Sequence, residues 1–278
     1  MCKKIIFAFI VTLSLGNYKG NAQTINWTKA DSGLHIGMFI SPIPSTFGNS
    51  EITIVKINPK IYDFHIVSAK DKSTNLQTIE NWCKSEGFIG AVNAGMFNLT
   101  DRLTNVGYLK NKGLIHNPNF KSDYCSFLCF DPKVNNVPPV QIVEFCSAND
   151  PQRQIIEKQY GSMAQSLRML NRQGVNVWAQ SPDKLWSMVV WAMDQEGNVL
   201  WIFTRSPFTV HTFINILKQA PLKLYNMMYL EGGPEASLYF NHQGITLRKI
   251  GNHVAKVYER ETNHKFWRLP NVIGIKKK

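Results

Sequence analysis

Charge is scarce in this sequence, and it leans one way. Charged residues make up 18% of the 278, and 19 acids face 31 Lys and Arg, a formal net charge of +12. With 44% hydrophobic residues the chain has material for a sizeable core, and a disordered or low-complexity protein is excluded. No apolar run reaches the roughly 20 residues that a bilayer-spanning helix needs. No CxxC pair or His cluster at ligand spacing occurs, which argues against a structural zinc site. The basic residues are spread out apart from Lys276–Lys278 and carry no helix-turn-helix, zinc-finger or RNA-binding signature, so nucleic acid is not an expected partner. The chain also lacks repeats, low-complexity runs and linkers, which points to one domain. Nothing calls for a cofactor or a metal, and none is expected.

The first 22 residues read as a secretory signal peptide. Lys3 and Lys4 precede the apolar run Ile5 to Leu15, and Asn21-Ala22 offers a small-residue cleavage site before Gln23. Export is therefore expected, to the periplasm or the exterior, with no stable membrane insertion after cleavage and a mature domain over residues 23–278. Removing Lys3, Lys4 and Lys19 with no acids lowers the net charge from +12 to +9. A moderate positive excess suits an anionic ligand or a negatively charged envelope surface. Export also permits disulfides among Cys83, Cys125, Cys129 and Cys146. Cys125 and Cys129 lie on one predicted strand, where four residues span ~13 Å, beyond the ~7 Å Cα limit of a bridge. Each is then free and buried, or bonded to Cys83 or Cys146.

Along the chain the pattern predicts an α+β fold: a mixed, largely antiparallel twisted sheet flanked by helices. Residues 23–50 read as irregular, with Ser41-Pro-Ile-Pro44 extended. Glu51–Asn58 and Tyr62–Ala69 have strand alternation and are expected to pair as a hairpin around Asn58-Pro59. Helices are expected over Thr78–Ser85, ended by Gly87, from Asp150-Pro151 toward Tyr160, and over Val210–Lys218 behind the N-cap Thr209. Val106–His116 reads as a hairpin about Asn111-Lys112-Gly113. Trp186–Met193 and Val199–Thr204 read as a hairpin at the centre of the sheet.

The stretch with the most chemistry runs from Met227 to Phe240. It reads as a strand ending at Glu231, a turn at Gly232-Gly233, and the first turn of a helix opened by Pro234 and Glu235. A carboxylate beside free backbone N–H groups can do proton chemistry next to a bound anion, although an ordinary strand–turn–helix joint has the same pattern. Asn93 and Asn98 flank Gly95 at the end of a buried strand, where their amides can bind a sugar hydroxyl or phosphate oxygen, or simply satisfy a turn. Arg168 sits in an apolar run, either snorkelling or aimed at an anion. Arg205 and Ser206 follow a strand in front of a helix N-terminus, where a guanidinium can hold phosphate bidentately or form a surface ion pair. His211 lies one turn into that helix, as a proton carrier or a structural histidine.

Three segments together resemble the phosphodiester glycosidase family: Asn93-Ala-Gly-Met-Phe97 with the Val106–Gly113 hairpin, the strand pair around Trp186–Arg205, and Tyr229-Leu-Glu-Gly-Gly-Pro-Glu-Ala-Ser237. The resemblance runs in order over roughly residues 50–275. It implies hydrolysis of a sugar-1-phosphodiester at the anomeric carbon, with a phosphorylated carbohydrate or surface glycan as partner. Where the family carries Asp-Gly-Gly with a further Gly and a Ser, this chain has Glu231, Pro234 and Glu235 in place of the Asp, third Gly and Ser. On this basis Glu231, Glu235 and Asn93 are the expected catalytic set. Arg168, Arg205, Ser206, Gly232, Gly233, Asn98 and His211 are expected to hold substrate and phosphate. The alternatives are a non-catalytic envelope glycan-binding protein on the same fold, and a phosphodiesterase attacking phosphorus. The enzymatic reading requires Glu231 to share a pocket with Asn93, Arg168 and Arg205.

Overall fold

Strands dominate the architecture, as the β-branched and aromatic content of the chain requires. The protein, a computed structural model, is described over residues 23–278, so the expected signal peptide lies outside the described residues. A seven-stranded sheet has the order Asn26–Asp31, Leu34–Ile40, Glu51–Ile57, Val199–Phe208, Trp186–Asp194, Leu224–Gly232 and Arg168–Leu170. A five-stranded sheet runs Val140–Glu144, Ser126–Pro132, Tyr160–Ser166, Leu109–Asn111 and Leu114–Asn117. A second five-stranded sheet runs Ile245–Ile250, Ser237–His242, Gly90–Asn93, Asn271–Lys277 and Tyr62–Ser68. The described residues also hold a two-stranded pair, Gln77–Thr78 with Arg268–Leu269, three α-helices, Ile79–Glu86, Pro151–Gln159 and Val210–Gln219, and a short 3₁₀ turn at Gly233–Glu235.

The α+β class holds, but the single mixed sheet does not: there are three main sheets, and every strand pair among the described residues is antiparallel. The sheets meet around one apolar cluster. Phe64 stands 5.1 Å from Trp191 and 6.2 Å from both Phe130 and Trp201, joining a residue of each sheet. The outer face of the large sheet is closed by the helix Val210–Gln219, whose Phe213, Ile214 and Leu217 pack on Ile54, Val190 and Met227. Ile79, Trp82 and Cys83 of the first helix cover the second five-stranded sheet in the same way.

Local signals were reliable where chemistry enforces them. The Thr78 side chain caps the first helix through the Asn81 N–H, and Gly87 ends it in the left-handed conformation. Asp150 and Thr209 cap the other two helices. The hairpins at Lys112-Gly113 and across Trp186–Phe208 form as expected. Pairing over distance was another matter. Glu51–Ile57 and Tyr62–Ser68 are strands but not a hairpin: the first pairs with Leu34–Ile40 and Val199–Phe208, the second with Asn271–Lys277. The Asn58 carbonyl accepts from Ile61 and Tyr62, making a tight corner that passes the chain between sheets. Residues 23–50, expected to be irregular, hold the hairpin Asn26–Asp31 and Leu34–Ile40. Its first strand is an edge, largely exposed, and carries no apolar alternation. Cys125 is bonded to Cys146, while Cys83 and Cys129 are free and buried.

Candidate active site

Glu231 owes its position to an interruption in a strand. Along the pair Trp186–Asp194 and Leu224–Gly232, Val190 faces Tyr229 and Val189 faces Glu231, so Leu230 is an extra residue forming a β-bulge. Bulges re-aim the side chains that follow them. After Gly232 the chain does not enter a helix as expected. Ala236 N–H donates to Gly233 C=O, closing a single 3₁₀ turn, and the strand Ser237–His242 begins at once. The run Ser-Leu-Tyr-Phe prefers a strand, and one turn is too short for a helix dipole.

Asn93 fixes this turn. Its amide donates to Glu235 C=O at 3.0 Å and its carbonyl oxygen accepts from Ser237 N–H at 2.8 Å. Ser237 Oγ also donates to Glu235 C=O at 3.0 Å. Asn93 is buried, its amide and carbonyl oxygen are each bonded to the turn, and it does not line the cavity beside the turn, so the structure places it as a residue that positions the turn. The two glycines serve close packing. A side chain on Gly232 would collide with the Tyr229 hydroxyl, and one on Gly233, at φ +67°, with Val254. The Gly232 N–H, expected to cradle phosphate, donates instead to Glu231 Oε1 at 3.1 Å.

Glu231 and Glu235 both line a cavity of about 820 Å³. Asn98, Asn119 and Thr104 offer polar groups there, Lys121 is the cation among the described lining residues, and Tyr258 and Trp267 supply rings. Burial pushes the Glu231 carboxyl up to about 8, the charge of Glu235 adds to the rise, and the Gly232 N–H opposes it. Burial raises Glu235 as well, against its own backbone N–H and the nearby Arg102. The Tyr229 hydroxyl, buried beside both carboxyls and Tyr124, is held well above the ordinary tyrosine range. Among the described residues no group of three or more His, Cys, Asp or Glu is placed to hold a metal.

Four expected residues are elsewhere. Arg168 pairs with Glu144 at 2.9 Å, because its strand lies at the sheet edge facing the end of Val140–Glu144. Arg205 is inside its strand, not beyond it. Its guanidinium donates to Ile250 C=O at 2.8 Å and Glu261 C=O at 3.3 Å, tying down both ends of the segment between them. Ser206 Oγ accepts from the Ser50 N–H at 2.9 Å, and His211 Nδ1 lies 3.3 Å from Trp178 C=O. None of the four lines the cavity, and neither does Asn93, so the shared pocket on which the enzymatic reading was made to depend does not form as expected, and that reading is left to stand on Glu231 and Glu235. Arg205 thus acts at one remove, since the segment it ties carries Val254, Val257 and Tyr258 on the cavity wall. These wall residues, with Lys121 and Tyr124, were missed from the sequence. Tyr229 alone stood inside the motif stretch, two residues before Glu231.

Residues 86–276, more than half of the chain, match the phosphodiester glycosidase family. No curated protein matches. Among solved structures, a hypothetical protein from Synechocystis superposes with a TM-score of 0.63 at 13% identity, covering 93% of this chain. This chain spans 64% of that protein, under two thirds of its length. The zebrafish N-acetylglucosamine-1-phosphodiester alpha-N-acetylglucosaminidase catalytic domain, auto-inhibited by its pro-peptide, superposes with a TM-score of 0.59 at 14% identity, covering 93% of this chain and 89% of that one. Likeness at this identity speaks for the fold, while the match over residues 86–276 speaks for descent. The chain belongs to the phosphodiester glycosidase family.

Proposed function

We propose that this is an exported hydrolase that cleaves sugar-1-phosphodiesters between the anomeric carbon and its oxygen, acting on a phosphorylated carbohydrate or surface glycan. The observation that carries the reading is the pair Glu231 and Glu235 on one cavity wall, with a proton held on Glu231 up to about pH 8. Two carboxyls in unequal environments divide acid and base work. Glu231 gives its proton to the departing phosphate oxygen, and Glu235, which Arg102 helps to ionise, takes one from the attacking water. Water oxygen bonds to the anomeric carbon as the carbon–oxygen bond breaks, leaving a free sugar and a phosphomonoester. The leaving group is already anionic, so the acid has a light task. Lys121 offers positive charge to the phosphate, and Asn98, Asn119 and Thr104 offer hydrogen bonds to sugar hydroxyls.

The test is hydrolysis of a sugar-1-phosphodiester in ¹⁸O-water by the purified protein, with Glu231→Gln alongside. Label in the sugar, and turnover lost in the variant, is the expected result. Label in the phosphate, or equal turnover in both proteins, overturns it. The apolar cavity wall and the displacement of Arg168 and Arg205 favour a second reading, a glycan-binding protein without catalysis. Glycan binding with no turnover in wild type decides for that alternative.

A further inference from the structure

The cavity mouth is built against the usual chemistry of loops. Two segments frame it, Asn98–Thr104 and Gly251–Trp267, and each carries an aliphatic side chain out into water: Leu99 is 75% exposed and Val257 82% exposed, and both line the cavity. Leu103 adds a third exposed apolar group on the first segment. Loop tips ordinarily take Gly, Asn, Asp or Ser, so Leu and Val there are unfavourable choices unless something covers them.

The tips are also held in place. In the first segment, Asn98 Oδ1 accepts from the Thr100 N–H, Asp101 Oδ1 accepts from the Leu103 and Thr104 N–H groups, and Arg102 N–H donates to Asn98 C=O. In the second, Val254 and Tyr258 form a β-bridge, Val257 N–H donates to Val254 C=O, and Glu259 accepts from the Lys256 N–H. Arg102 at φ +55° and Lys256 at φ +66° lie in the left-handed region immediately before Leu103 and Val257. Strained, hydrogen-bonded tips that present apolar groups beside a reactive site are a mark of ligand contact. Inside the mouth the wall continues through Met96, Phe97, Val106 and Val254.

We infer that the substrate is a glycosyl phosphate ester whose second alcohol is a long apolar chain, with that chain lying across Leu99 and Val257 and the sugar phosphate at the carboxyl pair. This rests on the hydrolytic reading of the same cavity and narrows it to a substrate class. Sugar and phosphate use the polar lining, which leaves the aliphatic mouth for the remaining part of the diester. The products are a free sugar and an alkyl phosphate.

The experiment is a series of sugar-1-phosphate methyl, butyl and octyl esters, each below its aggregation concentration, with kcat/KM measured for wild type and for Leu99→Ser/Val257→Ser. Burial of each added methylene is expected to raise kcat/KM about fourfold while the chain still meets the wall. The double variant is expected to lose most of that slope. Equal kcat/KM for all three esters in wild type overturns the inference, as does a slope unchanged in the variant. Calorimetric binding of methyl and octyl phosphate separates this result from failure of the hydrolytic reading. Where no ester is turned over, octyl phosphate binding at least tenfold tighter than methyl phosphate, and weakened in the variant, upholds the apolar site. Equal binding removes it. Both positions are exposed, so thermal midpoints of the variant should match wild type.

Discussion

Replacing Glu231 by Gln should make the protein more stable, and increasingly so as pH rises. The carboxyl ionises near 8 in the folded protein and near its ordinary value of 4.5 when unfolded. Between those values the folded state holds the extra proton, so this group's favourable contribution is complete below about 4.5 and is lost as pH climbs through about 8. At about 1.4 kcal/mol per pH unit the interval amounts to about 5 kcal/mol. Glu231 opens onto a cavity that admits water, which screens the charge and reduces the expected effect to about 2–4 kcal/mol. Gln keeps the shape and never ionises. Urea unfolding of wild type and Glu231→Gln at pH 4.5, 6, 7.5 and 9 should therefore give stability curves that diverge in favour of the variant, most steeply between pH 5 and 8. Parallel curves would show that the carboxyl is not held protonated, and the assignment of Glu231 as the acid would fall with them. On the proposed hydrolysis, in which Glu231 is the acid, wild-type kcat/KM should also decline above about pH 8 with a slope of one.

Other substitutions probe the frame of the site. Asn93→Ala strips two hydrogen bonds from the Glu235–Ser237 turn and leaves a buried N–H without a partner; a loss of about 2–3 kcal/mol in urea unfolding is expected, with turnover falling although Asn93 does not line the cavity. Arg168→Ala removes the partner of Glu144 and should lower stability by about 1 kcal/mol, while KM for a sugar phosphodiester stays within about twofold of wild type. A larger rise in KM would return Arg168 to the phosphate. Cys125→Ser/Cys146→Ser opens a link between residues 21 apart and should cost about 3 kcal/mol, seen as a lower denaturation midpoint matched by reduced wild type. Trp191→Ala, at the meeting point of the sheets, should cost about 3–5 kcal/mol or prevent folding.

What could be read from the sequence follows the range of the forces involved. The helix start at Asp150-Pro151, the cap at Thr209 and the Lys112-Gly113 turn are decided within a few residues and stand where expected, while Thr78, read as the first residue of its helix, is that helix's cap. Glu231 and Glu235 were picked out by the Gly-Gly-Pro joint between them together with the family resemblance, and they do share a cavity. Partners beyond the tight hairpins were not legible: Glu51–Ile57 pairs with Leu34–Ile40 and Val199–Phe208 and not with Tyr62–Ser68, a choice made by the whole core. The arginines misled for a related reason. A guanidinium in an apolar run needs some anion or carbonyl, but the sequence does not say which, and Glu144 and the carbonyls of Ile250 and Glu261 supplied it. The rim valines and leucines carried no local signal, since an exposed aliphatic side chain has meaning only beside the cavity it borders.

The joint Gly233–Ala236 has a further consequence. It carries the chain from the seven-stranded wall straight into the neighbouring five-stranded one, with one carboxyl before the crossing and one at it. The gap between the two acids is therefore inherited from the angle at which two stiff panels abut. An extra residue inserted at that seam would leave both panels standing and alter the spacing of the acids, whereas a change of length or side chain in the rim loops moves neither panel. Divergence among such proteins should accordingly gather at the rim, where a new leaving group can be accommodated without disturbing the spacing of the acids.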